Sequence, residues 1–153
     1  MDLFSRLLTI NSFEFKSSSG EKSQTGWSGS GKGKVITTRE YDTIYFKEEG
    51  VFKLDGTSKQ NKISNEYVWQ QISPSKISLS HARFGYNNLV KLFDLKQIDE
   101  TTWQSIQPHI CIDDLYIAKL KVLDNCVELI WEITGPKKDE VIRYKYSSKE
   151  LNT

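Results

Sequence analysis

The chain has 153 residues, 37% hydrophobic and 12% aromatic, with 21 Lys and Arg against 20 Asp and Glu for a net charge of +1. That length suits one domain able to bury roughly 68–70% of its unfolded surface. The balanced charge gives no sign of a nucleic-acid or anionic-membrane partner. No apolar run reaches the about 18 residues of a bilayer span, and the start of the chain lacks a signal-peptide pattern.

Asp2 to Ile10 places Leu3, Phe4, Leu7 and Leu8 on one helical face, with Asp2 as N-cap. This short helix, spanning 1–10, is expected to cover one end of a sheet; the competing reading is a helix that docks on a partner. Ser12 to Lys16 alternates with Phe13 and Phe15 on one side, as in a first strand. Residues 17–33 are rich in Ser and Gly and read as a flexible loop running into a strand at Lys34 to Thr38, with Trp27 packed inward. A phosphate-cradling loop would need a helix after it, and none follows.

Strand–turn units come next: Thr43 to Lys47, a turn at Glu48-Glu49-Gly50, Val51 to Leu54, and a hairpin signal at Asp55-Gly56. Lys62 to Ile72 carries Tyr67 and Trp69 on one face. Lys76 to Phe84 carries Ile77, Leu79, His81 and Arg83 on one face. Leu89 to Leu95 and Thr101 to Ile106 complete the middle of the chain.

The last third is the most ordered pattern. A turn at residues 123–126 pairs Tyr116 with Ile133, Ala118 with Trp131, and Leu120 with Leu129. A second turn at Gly135 to Asp139 is expected to pair Ile133 with Ile142, Trp131 with Tyr144, Leu129 with Tyr146, and Glu132 with Arg143. Rings and aliphatics then share one face, and Lys119, Lys121, Glu128, Glu132, Arg143 and Lys145 share the other. His109, Asp113, Asp114, Lys137, Lys138 and Asp139 are expected to gather at one end.

About nine or ten short strands with turn signals between them describe one all-β domain, an antiparallel up-and-down barrel over 1–153 with a tail at 147–153. The segments G-W-S-G-S-G-K-G (26–33), I-Y-F-K-E-E-G (44–50), E-Y-V-W (66–69), H-I-C-I-D-D-L-Y (109–116), W-E-I-T-G-P-K-K-D (131–139) and R-Y-K-Y (143–146) add a resemblance. The chain is similar to a family of small bacterial and eukaryotic proteins of unknown function with a lipocalin-like (calycin-type) barrel. That resemblance implies the barrel and brings no established activity. Where lipocalins carry Gly-x-Trp, Gly26 and Trp27 are adjacent here.

The leading functional reading is non-enzymatic binding of a small, largely apolar molecule in the barrel. Tyr116, Trp131, Tyr144 and Trp69 would line it, and Arg83, His109 or Lys137 would orient a polar group. The competing reading has the rings fill the interior. A second function class is an enzyme with His109 and Asp114 as acid–base pair; a third is a protein-interaction module. No cofactor or metal set is visible: His109, Cys111 and Asp113 alternate, but no further Cys or His sits at zinc spacing. Cys111 and Cys126 fall far apart in the expected sheet, too far to bridge, and two free thiols point to the cytoplasm.

Overall fold

A computed structural model describes residues 2–20, 28–106, 109–111 and 113–149; for 109–111 the description covers the backbone. Trp27, the side chains of His109 and Cys111, and residues 150–153 of the expected tail lie outside the described residues.

Eleven strands follow one helix, α1 (Leu3–Leu7): β1 (Ser12–Ser19), β2 (Gly29–Glu40), β3 (Thr43–Leu54), β4 (Gln60–Ser73), β5 (Lys76–His81), β6 (Val90–Gln97), β7 (Thr102–Ser105), β8 (His109–Cys111), β9 (Asp114–Val122), β10 (Cys126–Thr134) and β11 (Asp139–Ser147). From β1 to β7 and from β9 to β11 each strand pairs antiparallel with the next, β7 pairs with β9, β11 returns to pair with β1, and β8 is a short addition on β9 beyond β7. The result is a closed ten-strand antiparallel barrel, with every strand but β8 in the ring. Closure leaves the ring without the unpaired edges of an open sheet.

The expected register of the last third is half right. β9 and β10 pair as read, with Tyr116 opposite Ile133, Ala118 opposite Trp131 and Leu120 opposite Leu129. β10 and β11 are shifted by two residues: Trp131 faces Ile142, Leu129 faces Tyr144 and Val127 faces Tyr146. Arg143 therefore lies opposite Ile130, and the expected Glu132–Arg143 pair gives way to Glu132–Val141. The cause is the turn. Gly135 N–H donates to the Lys138 carbonyl at 2.9 Å, so the loop closes at 135–138 and Thr134 already pairs with Asp139. A two-residue shift leaves side-chain parity intact. Ala118, Leu120, Leu129, Trp131, Ile133, Tyr144 and Tyr146 are all buried.

Two other sequence expectations are corrected. Glu48-Glu49-Gly50 is not a turn: β3 runs through it without a break, pairing Glu48 with Val35 and with Asn65. The described residues of the Ser/Gly stretch are mostly strand, since β1 extends to Ser19 and β2 begins at Gly29; 21–27 lie outside the described residues. Gly29, Gly31 and Gly33 lie in the barrel wall. Gly33 and Gly50 face each other at an inward position, where a Cβ on either would strike the partner strand's backbone. Such close approach of two strands is a reason for glycine inside a strand.

α1 plugs one end. Ser5 N–H donates to Asp2 Oδ1 at 2.7 Å, the expected N-cap. Leu3, Phe4 and Leu7 are buried in the core, so the face offered as a partner-binding surface is consumed by the barrel itself. Arg6 Nη1 donates to the carbonyls of Leu123 and Asp124 at 2.8 and 2.7 Å, tying the helix to the β9–β10 turn. Arg39 lies over the Phe4 ring at 4.9 Å. Cys126 stands at this end, a buried free thiol, while the backbone of Cys111 belongs to the β8–β9 hairpin at the other.

Candidate functional site

The interior of the barrel has a polar centre that alternation places there. Along β3, Ile44, Phe46, Glu48, Gly50 and Phe52 share the inward parity. Glu48 is 1% exposed. Tyr146 Oη donates to Glu48 Oε2 at 2.6 Å, and Tyr144 Oη reaches Oε1 at 3.4 Å. Burial raises the Glu48 carboxyl from its ordinary 4.5 to about 8, against the pull of the two tyrosine hydrogen bonds. At neutral pH it is therefore mostly a neutral acid, as expected for a carboxyl taken out of water with no cation beside it among the described residues. Tyr67, Tyr144 and Tyr146 are pushed upward in turn, first by burial and then by neighbouring charge, so all three keep their protons.

Aromatic rings surround this centre. Tyr144 stacks on Tyr146 (5.1 Å), on Phe15 (5.0 Å) and on Trp131 (6.0 Å). Phe93 meets Trp131 edge-on at 5.4 Å, and Phe15 stacks on Phe52 at 5.8 Å. The indole N–H groups of Trp69 and Trp131 are buried and have no acceptor among the described residues, an unusual condition for a buried donor. Toward the end away from α1, Phe15, Ile63, Tyr116 and Ile142 face inward but are only half-buried. That end is where the interior meets solvent.

The structure brings some expected site residues together and scatters others. Trp131 and Tyr144 stack, with Tyr116 on the neighbouring β9 and Trp69 deeper, under α1 and fully buried. Arg83 is not on β5, which ends at His81. It is exposed in the following turn with its guanidinium over the Phe84 ring at 5.0 Å. His81 keeps the inward parity and stacks on Tyr67 at 4.8 Å; burial, then the Arg83 charge, lowers its pKa. Lys137 is exposed on the β10–β11 turn. Lys138, next to it, pairs with Asp114 at 3.2 Å, so part of the expected polar cluster forms at that end. Among the described residues no group of three or more His, Cys, Asp or Glu is arranged to hold a metal ion.

Glu48 is the residue that sequence reasoning missed. Two carboxylates followed by glycine look like a turn, yet Ile44, Phe46 and Phe52 flank Glu48 at even spacing. That alternation was the signal available.

A protein-family model matches residues 14–148, from within β1 to just past β11, and so takes in the whole ring of strands. The chain belongs to a family of unknown function, DUF6314. The DUF6314 match thus includes Glu48, Tyr144 and Tyr146 within its bounds. No curated protein matches the chain.

Proposed function

We propose that this DUF6314 member binds a small, largely apolar molecule carrying one polar group, within the half of the barrel away from α1, and does not transform it. The observation that supports this reading is the neutral Glu48 carboxyl between two tyrosine hydroxyls, set among rings in a closed barrel. An apolar lining with a few placed polar groups is the common chemistry of small-molecule sites. Trp131 adds a buried N–H without an acceptor among the described residues. The rings pack against one another, so entry requires Phe15 and Phe52 to swing aside. Arg83 and Lys137, both exposed, serve this reading less well than Glu48 and Tyr146 do. The acid–base alternative with Asp114 is weakened by the ion pair that Asp114 makes with Lys138. The buried free thiol of Cys126 suits a reducing compartment such as the cytoplasm. For the described residues, no helix is long and apolar enough to cross a membrane.

Native mass spectrometry of the purified protein, with a denatured control, tests the proposal. A small molecule retained under native conditions and weakened by Tyr146→Phe is expected. No retained mass, together with no change in tryptophan emission on titration with an apolar dye, would remove it.

A further inference from the structure

The outer wall of the barrel carries a second, independent feature. A concavity of about 510 Å³ lies across β11, β1, β2 and β3, bordered by Lys16, Lys32, Lys53, Arg143 and Lys145, with Glu14 as the one carboxylate among the described lining residues. A second concavity of about 570 Å³ shares Glu14, Lys32 and Lys145 with it and adds Lys149. The two form one groove along the wall.

Strand register explains the charge. Arg143 is opposite Lys16, Lys16 is opposite Ser30, and Ser30 is opposite Lys53, so one row across four strands holds three cations and no acid. The next row runs Lys145, Glu14, Lys32. Neighbouring strands are about 4.8 Å apart, so the backbones of Arg143 and Lys16 stand well within the Debye length of about 8 Å at physiological salt, with Lys53 two strands beyond Lys16 at about 10 Å. Lys145 pairs with Glu14 at 3.8 Å. Lys16, Lys32, Lys53 and Arg143 have no carboxylate partner among the described residues. The whole chain is only +1, so the groove concentrates positive charge that a near-neutral total conceals.

We propose that this groove binds a compact, phosphate-rich anion of three or more linked phosphates. Lysines and an arginine around a concave floor supply the charge and donors that phosphate oxygens take, and Ser30 and Gln60 on the same lining add neutral polar groups. Among the described lining residues the ring is Phe15, which stacks on Phe52 and Tyr144 inside the barrel instead of standing free for a base, unlike the stacking platforms of single-strand nucleic-acid grooves. Its concavity also distinguishes it from the flat contact that a bilayer would need.

Calorimetric titration with inorganic triphosphate at physiological salt tests the assignment. Binding is expected, with affinity falling at least about tenfold in a Lys16→Gln, Arg143→Gln double variant and little changed in a Lys119→Gln, Lys121→Gln double variant, which removes the same charge outside the groove. Circular dichroism confirms that both variants fold. No binding by the parent protein, equal loss in both variants, or tighter binding to a single-stranded oligonucleotide or to anionic vesicles than to triphosphate would each overturn the proposal.

Discussion

Tyr146 and Glu48, 98 residues apart in the chain, meet hydroxyl to carboxyl at 2.6 Å in the centre of the barrel. The contact joins the strand that completes the ring to the middle of β3, and the burial of Glu48, which the tyrosine hydrogen bonds offset only in part, makes stability depend on pH. With the carboxyl at about 8 in the fold and 4.5 when unfolded, the folded state holds the extra proton between those values. Stability is then full below pH 4.5, falls as pH rises, and levels off above 8, a loss of roughly 3–5 kcal/mol from this one group. Glu48→Gln keeps an acceptor for Tyr146 and cannot ionise. Urea denaturation across pH 5 to 9 should show the decline in the parent and a flatter profile in the variant; identical profiles would refute the assignment.

Removing the hydroxyl in Tyr146→Phe leaves the ring stack with Tyr144 in place and takes one donor from a buried carboxyl. A cost of about 1–3 kcal/mol is expected, measured as a lower urea midpoint. A variant as stable as the parent would show that the 2.6 Å contact contributes nothing.

Gly33 and Gly50 oppose each other where an added Cβ would meet backbone. Gly50→Ala should therefore destabilise by more than ~3 kcal/mol or prevent folding. Gly56 is different: it has open space but φ of +79°, and Gly56→Ala should cost only about 1 kcal/mol. Thermal melts of the two variants compare them directly, and the reverse ranking would contradict the described β2–β3 packing.

The plug should contribute unequally along its length. Asp2→Ala removes the N-cap bond to Ser5 and is expected to cost ~0.5–2 kcal/mol. Leu7 is 0% exposed, so Leu7→Ala should cost about 2–5 kcal/mol. Hydrogen bonding also holds the Asp2 carboxyl below its usual range, so its contribution is present above pH 4 and fades in acid. Denaturation midpoints at two pH values test both statements.

By contrast, the Lys138–Asp114 pair sits at the rim with side-chain exposures of 37% and 21%. Lys138→Ala should change stability by under ~1 kcal/mol, and less at high salt. A large loss would mean that the ion pair organises the end of the barrel.

The sequence reveals a good deal of this fold because alternation is a local property. The inward set Ala118, Leu120, Leu129, Trp131, Tyr144 and Tyr146 could be read from parity alone, and it is buried. Register across β10 and β11 was less accessible, since it depends on where a Gly-Pro-Lys-Lys loop closes its hydrogen bond, which composition does not specify. Glu48 was hidden for another reason. A carboxyl buried in a barrel conflicts with local propensity, and only partners on β11, far along the chain, make it tolerable. The groove was concealed by the same distance: Lys16, Lys53 and Arg143 become one row only once four strands are aligned.

The seam between β11 and β1 has a consequence for biosynthesis. Asn11 Nδ2 donates to the Lys149 carbonyl at 2.6 Å, and Lys149 N–H donates to Asn11 Oδ1 at 2.8 Å, locking the ring beside that seam. A ribosome makes β1 early and β11 last of the strands, so the nascent sheet waits with two raw borders until residues 139–147 emerge. Stalling or cleavage just before Asp139 would leave both borders bare, and such fragments should be the ones that clump and call for chaperones.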